Sequence, residues 1–255
     1  MSPSGALRAD LSGQRALITG ASSGFGAHFA RVLAGAGAEV ILSGRRLPLL
    51  ESVAQEIASA GGRASTAVLD VTDAGSVRAT VAAAGRIDLL INNAGVTNTK
   101  AALEQTTDDW QFVLDTNLKG AWLMATEVAR AMRQHGEGGC IVNVASILGL
   151  RQGGQVSPYA ISKAALIQLT KQLALELARH KIRVNALAPG YFATELNADF
   201  FASEAGKALI ARIPQRRLGR LQDLDGPLLL LASEASKFMT GSVIVVDGGH
   251  LLSSL

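Results

Sequence analysis

Short apolar runs and stretches of helical periodicity take turns along this chain, and that alternation leaves few architectures open. Arg15 to Thr19, Glu39 to Ser43, Ala64 to Leu69, Ile87 to Asn92, Cys140 to Ala145 and Arg183 to Ala188 read as strands, with Val243 to Val246 as a seventh. Helices fall between them. The first carries Phe29, Val32, Leu33 and Ala36 at helical spacing, and the others span Leu49 to Ala60, Ala74 to Ala84, Thr107 to His135 with a bend near Gly120, and Pro158 to Arg179. Strands that alternate with helices in this way predict a parallel sheet covered on both faces, a Rossmann-like doubly wound α/β fold of about seven strands.

No composition shift, linker or repeat divides the 255 residues, so a single domain over 1–255 is expected, with Met1 to Asp10 as a loose arm. A hydrophobic fraction of 48% is ample for one core, and 18% charged residues argues against disorder. The net charge of +3, with basic pairs only at Arg45-Arg46 and Arg216-Arg217, offers no stripe for nucleic acid. The lone Cys140 sits in a strand-like run and reads as a buried apolar side chain, which fits a reducing cytoplasm. The longest apolar run, near Pro227 to Ala232, is far short of the roughly 18 residues of a membrane span, so no membrane association is expected.

Two features carry chemistry. Gly20-Ala21-Ser22-Ser23-Gly24-Phe25-Gly26 joins the first strand to the first helix, where glycines let the backbone turn tightly and amide N–H groups meet a pyrophosphate. Tyr159 and Lys163 lie four residues apart in a helix and therefore share a face, with Ser146 arriving from a strand end. A phenol beside an ammonium can move a proton at a carbonyl or alcohol oxygen. Such a proton transfer is needed wherever a hydride moves to or from that carbon. The four histidines, His28, His135, His180 and His250, form no metal-ligand spacing, and no catalytic metal is expected.

The Gly-x-x-x-Gly-x-Gly spacing resembles that of the short-chain dehydrogenase/reductase family, and further motifs follow in order. They are Asn92-Asn93-Ala94-Gly95, a strand-end Asp70, Asn117 in Asp115-Thr116-Asn117, Ser146, Tyr-x-x-x-Lys at Tyr159 and Lys163, and Pro189-Gly190 with Thr194. The likeness runs from about Leu11 to Gly249 and most resembles NADP-dependent carbonyl and 3-oxoacyl reductases. It implies Tyr159 as general acid/base, and Lys163 as the group that lowers the phenol's pKa and binds the nicotinamide ribose. It implies Ser146 as the group that orients the substrate oxygen and Asn117 as the holder of a relay water. The resemblance also implies cofactor contacts at Gly20, Ser22, Ser23, Gly24, Phe25 and Gly26. Further contacts are implied at Asp70 and Val71 for adenine, at Asn93, Ala94 and Gly95 beside the ribose, at Pro189 and Gly190 where the sixth strand ends, and at Thr194 for the carboxamide. Asp88 is expected to steady the loop after the fourth strand.

Cofactor choice falls at Leu42-Ser43-Gly44-Arg45-Arg46, where NAD-preferring relatives place an acid at the position of Gly44. Its absence, with Arg45 offering a planar fork to a 2′-phosphate and Ser43 and Arg46 as helpers, favours NADP(H) over NAD(H). The basic residue that many NADP users carry before Gly24 is here Ser23.

The segment Tyr191 to Gln215 breaks the alternation with an unusual share of aromatic residues, and insertions at strand C-terminal ends are where such sheets hold ligands. Ile147, Leu148, Tyr191, Phe192 and Leu196 are candidate substrate residues. An apolar-bodied ketone or secondary alcohol is the expected small-molecule substrate, with Arg151 either on the surface or recognising a negative group. A 3-oxoacyl-thioester reductase is the alternative enzyme, and a nucleotide-binding sensor without catalysis the alternative of another class. The family resemblance implies a homotetramer.

Overall fold

The structure is a computed structural model and describes residues 9–193 and 198–252. Its centre is one sheet of seven strands, all parallel, in the order β3-β2-β1-β4-β5-β6-β7. These are β1 (Arg15–Thr19), β2 (Glu39–Gly44), β3 (Arg63–Val68), β4 (Leu89–Asn92), β5 (Gly139–Val144), β6 (Ile182–Pro189) and β7 (Val243–Val246). The helices are α1 (Gly24–Gly35), α2 (Leu47–Ser59), α3 (Ala74–Ala84), α4 (Thr107–Leu114), α5 (Ala121–His135), α6 (Ser157–Leu177), α7 (Ala198–Ala202), α8 (Glu204–Ile210) and α9 (Asp225–Ala232).

The apolar runs are nearly continuous because the central strands are buried on both faces. Ala16, Ile18, Leu89 and Ile91 point to a layer formed by Phe29 and Leu33 of α1, Leu50 and Val53 of α2, and Leu228 and Leu231 of α9. Their neighbours Leu17 and Leu90 point the other way, against Val77 of α3, Met124 and Val128 of α5 and Leu173 of α6. This is the two-residue period of a strand read on both faces. Cys140 is buried as expected, and burial pushes its thiol up to about 11.

Strand and helix ends shift by a residue or two from the sequence expectation. The larger differences have local causes. The helix expected over Thr107 to His135 is split by a π-helical turn, Asp115–Gly120, which takes the place of a simple bend. Gly120 closes that turn against Val71; a Cβ there would stand 2.8 Å from Val71 Cγ2. The segment after β6 contains the short helices α7 and α8. Asp88 lies at the start of β4, at the end of the sheet away from the site, where it accepts from the Arg15 amide (2.9 Å) and from Arg86 (2.8 Å). It steadies the entry of that strand and not the loop that leaves it.

Candidate active site

Parallel strands bring all their C-terminal ends to one edge, and the candidate residues gather there. At the exit of β1 the chain turns through Gly20 (φ +65°) and Gly24 (φ +55°) into α1. A side chain at Gly20 would press on Ala94 (2.9 Å), and one at Gly26 would overlap the Gly20 carbonyl (2.3 Å). The exit of β4 is tied to this turn. Asn93 and Ala94 both donate backbone N–H bonds to Thr19 Oγ1 (3.0 Å each), and Asn93 Nδ2 donates to the Thr19 and Gly20 carbonyls. Asn93 thus acts as a clamp between two loops, a role its place in the motif does not reveal.

Ser23, the N-cap of α1, makes no side-chain cap, and no acid occupies the first turn, so the helix N-terminus is suited to an anion. The cradle cut by Gly20 and Gly26 and this uncapped end fit a dinucleotide pyrophosphate. Beside them Arg46 donates from Nη2 to Ser22 Oγ (2.8 Å) and to Ser23 Oγ (3.0 Å). A guanidinium therefore reaches the position before Gly24 from the end of β2. Ser43 does not join it: its side chain is wholly buried and donates to the Ile18 carbonyl at 2.8 Å. The expectation that Ser43 helps hold a phosphate is corrected: the residue lies within a strand buried on both faces, and its hydroxyl is committed to the neighbouring strand.

Asp70 folds back on its own turn, one carboxylate oxygen accepting from the Thr72 amide (2.9 Å) and hydroxyl (2.7 Å), and these bonds hold its pKa below the ordinary carboxylate value. Arg45 stands near enough to lower it further. The side chain of Val71 is buried against Gly120, so only its backbone can face a ligand. Phe25 likewise turns its ring to the core, stacking on Phe29 at 5.9 Å and meeting Phe192 edge-on at 5.5 Å. Gly190 abuts Asp247, where a Cβ would stand 2.7 Å from the Asp247 Cβ.

Ser146 follows β5 in an extended conformation (φ −165°), and its hydroxyl accepts from the Leu148 amide at 3.1 Å. Tyr159 and Lys163 lie on the first turns of α6. Lys163 is buried, donates from Nζ to the Val144 carbonyl at 2.7 Å, and stands 5.7 Å from the centre of the Tyr159 ring. Burial pulls its ammonium down to about 8. Burial also raises the Tyr159 phenol above its ordinary value, opposed by a side-chain hydrogen bond with Ser146 and reinforced by the nearby Tyr191. This differs from the expected lowering by Lys163. In the protein by itself desolvation outweighs any help from an ammonium turned toward a backbone carbonyl.

Asn117 is brought into this group by the π-helical turn, which points it inward, 1% exposed. Both amide hydrogens are engaged, donating to the Val96 carbonyl (2.9 Å) and to Ser162 Oγ (3.0 Å), and Oδ1 accepts from the Val96 N–H (2.8 Å). A relay water at Asn117 would therefore donate to an oxygen of this residue and not accept from its side-chain amide. The side chain acts as a strut.

On the substrate side the candidates separate. Phe192 is 3% exposed and belongs to the aromatic packing with Phe25, while Ile147 is 1% exposed, so neither forms an open wall. Tyr191 is half-buried, with Phe201 edge-on at 6.0 Å and the His250 ring at 5.4 Å. Leu148 is half-buried and Leu150 exposed. Arg151 donates to the His250 carbonyl and lies close enough to stabilise an ionised Tyr191. Thr194 and Leu196 lie outside the described residues.

A sequence model described as enoyl-(acyl carrier protein) reductase matches residues 20–250. Gluconate 5-dehydrogenase of Gluconobacter oxydans is 42% identical, over 95% of this chain and 96% of its own. The chain belongs to the short-chain dehydrogenase/reductase family. Among solved members, a short-chain type dehydrogenase/reductase from Mycobacterium marinum superposes with a TM-score of 0.89 at 44% identity, covering 94% of this chain and 96% of that one. A gluconate 5-dehydrogenase from Burkholderia cenocepacia, solved in complex with NADP and tartrate, gives 0.92 at 38% identity and covers 97% and 98%. This short-chain dehydrogenase/reductase is an oxidoreductase of the family's doubly wound α/β fold. Among its described residues no helix is long and apolar enough to cross a membrane.

Proposed function

We propose that this protein is an NADP(H)-dependent oxidoreductase that interconverts a ketone and its secondary alcohol, with Tyr159 as proton donor and acceptor. The observation that carries the reading is the meeting of Ser146, Tyr159 and Lys163 at the C-terminal sheet edge, beside the glycine cradle. NADPH, when bound, supplies the hydride. The Ser146 hydroxyl, already bonded to the phenol, would hold the carbonyl oxygen against it. A phenol kept protonated by burial is suited to donate its proton to that oxygen, and the neighbouring Lys163 charge would stabilise the phenolate left behind.

NADP(H) over NAD(H) is supported by the lack of an acid at Gly44 and by Arg46 with Ser22 and Ser23, which form a site for a 2′-phosphate that Arg45 extends. Asp70 and the backbone around Val71 would bound the adenine. The NADP in the Burkholderia cenocepacia relative agrees. The whole of 1–255 serves as one dinucleotide-binding domain, with 191–215 as its substrate element, working in the cytoplasm.

The site wall favours a substrate with a negative group over one with an apolar body. With Phe192 and Ile147 turned into the core, the mouth retains Tyr191 and Arg151, a phenol and a cation suited to a carboxylate and hydroxyls. The gluconate-named relatives and the tartrate in one of them point to the same class. The second reading, a 3-oxoacyl thioester, is favoured by the likeness to a 3-oxoacyl-(acyl-carrier-protein) reductase of Thermotoga maritima, 37% identical over 95% of this chain. A second copy of the chain is the expected partner, in a tetramer. Exposed Trp110, Phe112 and Trp122 around α4 and α5, and the outer edge of β7, are surfaces suited to pair.

The test is a panel of a keto-sugar acid, an apolar ketone and a 3-oxoacyl thioester, each with NADPH and NADH. The reading expects the keto acid with NADPH to be turned over best. Preference for the apolar ketone or the thioester overturns the substrate class, and equal use of NADH overturns the cofactor assignment.

A further inference from the structure

Between Tyr159 and Lys163 lies Ser162, with none of its surface exposed. Its hydroxyl donates to the Tyr159 carbonyl at 2.7 Å, and with its one hydrogen so used it accepts from Asn117 Nδ2 at 3.0 Å. Asn117 in turn holds the Val96 backbone through both its N–H and its carbonyl. Three elements meet in this run of bonds: the loop leaving β4, the π-helical turn and the first turn of α6. The loop is close to the reacting groups. A Cβ built at Gly95 would stand 3.4 Å from Asn117 Oδ1 and 3.6 Å from Lys163 Nζ.

We infer that Ser162 is a positioning residue: its bonds to Asn117 and to the Tyr159 backbone fix the phenol and the Lys163 ammonium at a set distance from the Gly95–Val96 wall. The inference rests on the reading of Tyr159 and Lys163 as the proton-transfer pair. A helix held to its neighbour by packing alone can slide by fractions of an ångström. A proton-transfer distance tolerates little of that, and a misplacement of about 1 Å can cost on the order of a hundredfold in rate. Sliding is resisted here because both Asn117 amide hydrogens are committed, one to the Val96 carbonyl and one to Ser162, which supplies the bond that crosses to α6. The π-helical turn fits this role, since such turns cluster at functional sites where a side chain must be aimed.

The test compares the parent with Ser162→Ala, Ser162→Thr and Tyr159→Phe, reading kcat, KM for NADPH and the pH dependence of kcat with the best substrate of the panel. Ser162→Ala is expected to lower kcat by about tenfold with KM for NADPH changed less than about twofold, and to move a limb of the kcat profile by about half a pH unit or more. Ser162→Thr keeps the hydroxyl and is expected to restore most of kcat and the parent profile. A merely structural serine would lower the melting temperature and leave the profile where it was. If Tyr159→Phe is inactive while Ser162→Ala keeps the parent kcat and profile, the inference fails alone. If Tyr159→Phe turns over like the parent, the proton-transfer reading fails and this inference with it.

Discussion

The turn after β1 and the segment after β6 stand at the same edge of the sheet, yet they are built in different ways. The first is made of backbone. Gly20 and Gly26 have no room for a side chain, and Thr19 and Asn93 bind the turn to the exit of β4 through paired amides and carbonyls. The second is made of side chains, and neighbours in sequence part company. Tyr191 faces the site while Phe192 enters the core beside Phe25, where Gly219 leaves space for its ring. A ligand held by backbone requires glycines that any reader of the sequence can see. A ligand held by side chains depends on which way each one turns.

The contrast can be broken at several points, and the largest effect is expected at Phe192. Phe192→Ala removes a buried ring from the core and is expected to cost about 3–5 kcal/mol of stability, read as a shift of the urea midpoint. A loss below about 1 kcal/mol would return Phe192 to the substrate wall.

Lys163 carries the next largest effect, in its dependence on pH. Its ammonium is held at about 8 in the folded chain against 10.5 for an ordinary lysine, so between those values the unfolded chain binds a proton that the folded chain does not. Stability of the cofactor-free protein should therefore rise with pH from about 8 to about 10, by about 3 kcal/mol. Above about 10 the raised Tyr159 phenol begins to act in the opposite sense, because there the folded chain retains a proton that the unfolded chain loses. Denaturation of Lys163→Met against pH should lack the rise, and a parent stability that fell from pH 8 to 10 would refute the burial argument.

On the cofactor side, Arg46→Ala is expected to cost about 2 kcal/mol in NADPH binding, a rise in KM of some thirtyfold, with KM for NADH almost unmoved. An equal loss with both coenzymes would show that Arg46 supports the turn and not a phosphate. The smallest effect belongs to Tyr191→Phe, expected to change stability by less than about 1 kcal/mol while raising KM for the substrate several-fold. If KM stayed put, the site wall would have to lie elsewhere.

Most of the fold and the reacting groups could be read from sequence because they rest on period and spacing. The alternation of elements set the sheet, and the four-residue step placed Tyr159 and Lys163 on one face. Residues whose role depends on a partner distant in sequence were harder to see. Ser43 lies in a strand buried on both faces, and its hydroxyl bonds the Ile18 carbonyl of β1, a partner 25 residues away. Arg46 reaches Ser23, restoring from β2 the positive charge that the glycine turn lacks. Asn117 is turned into the strut with Val96 and Ser162 by a π-helical turn, which has no strong sequence signal. Ser162 stands between Tyr159 and Lys163, but its bond to Asn117 joins residues 45 apart in sequence.

The most direct test of the account is the transfer of hydride itself in Tyr159→Phe. Single-turnover oxidation of bound NADPH is followed by its absorbance, and NADPH binding by its fluorescence. The account predicts that the variant binds NADPH within a few-fold of the parent while the rate of oxidation falls by about a thousandfold, within the range typical for loss of a general acid. Oxidation at the parent rate would contradict it.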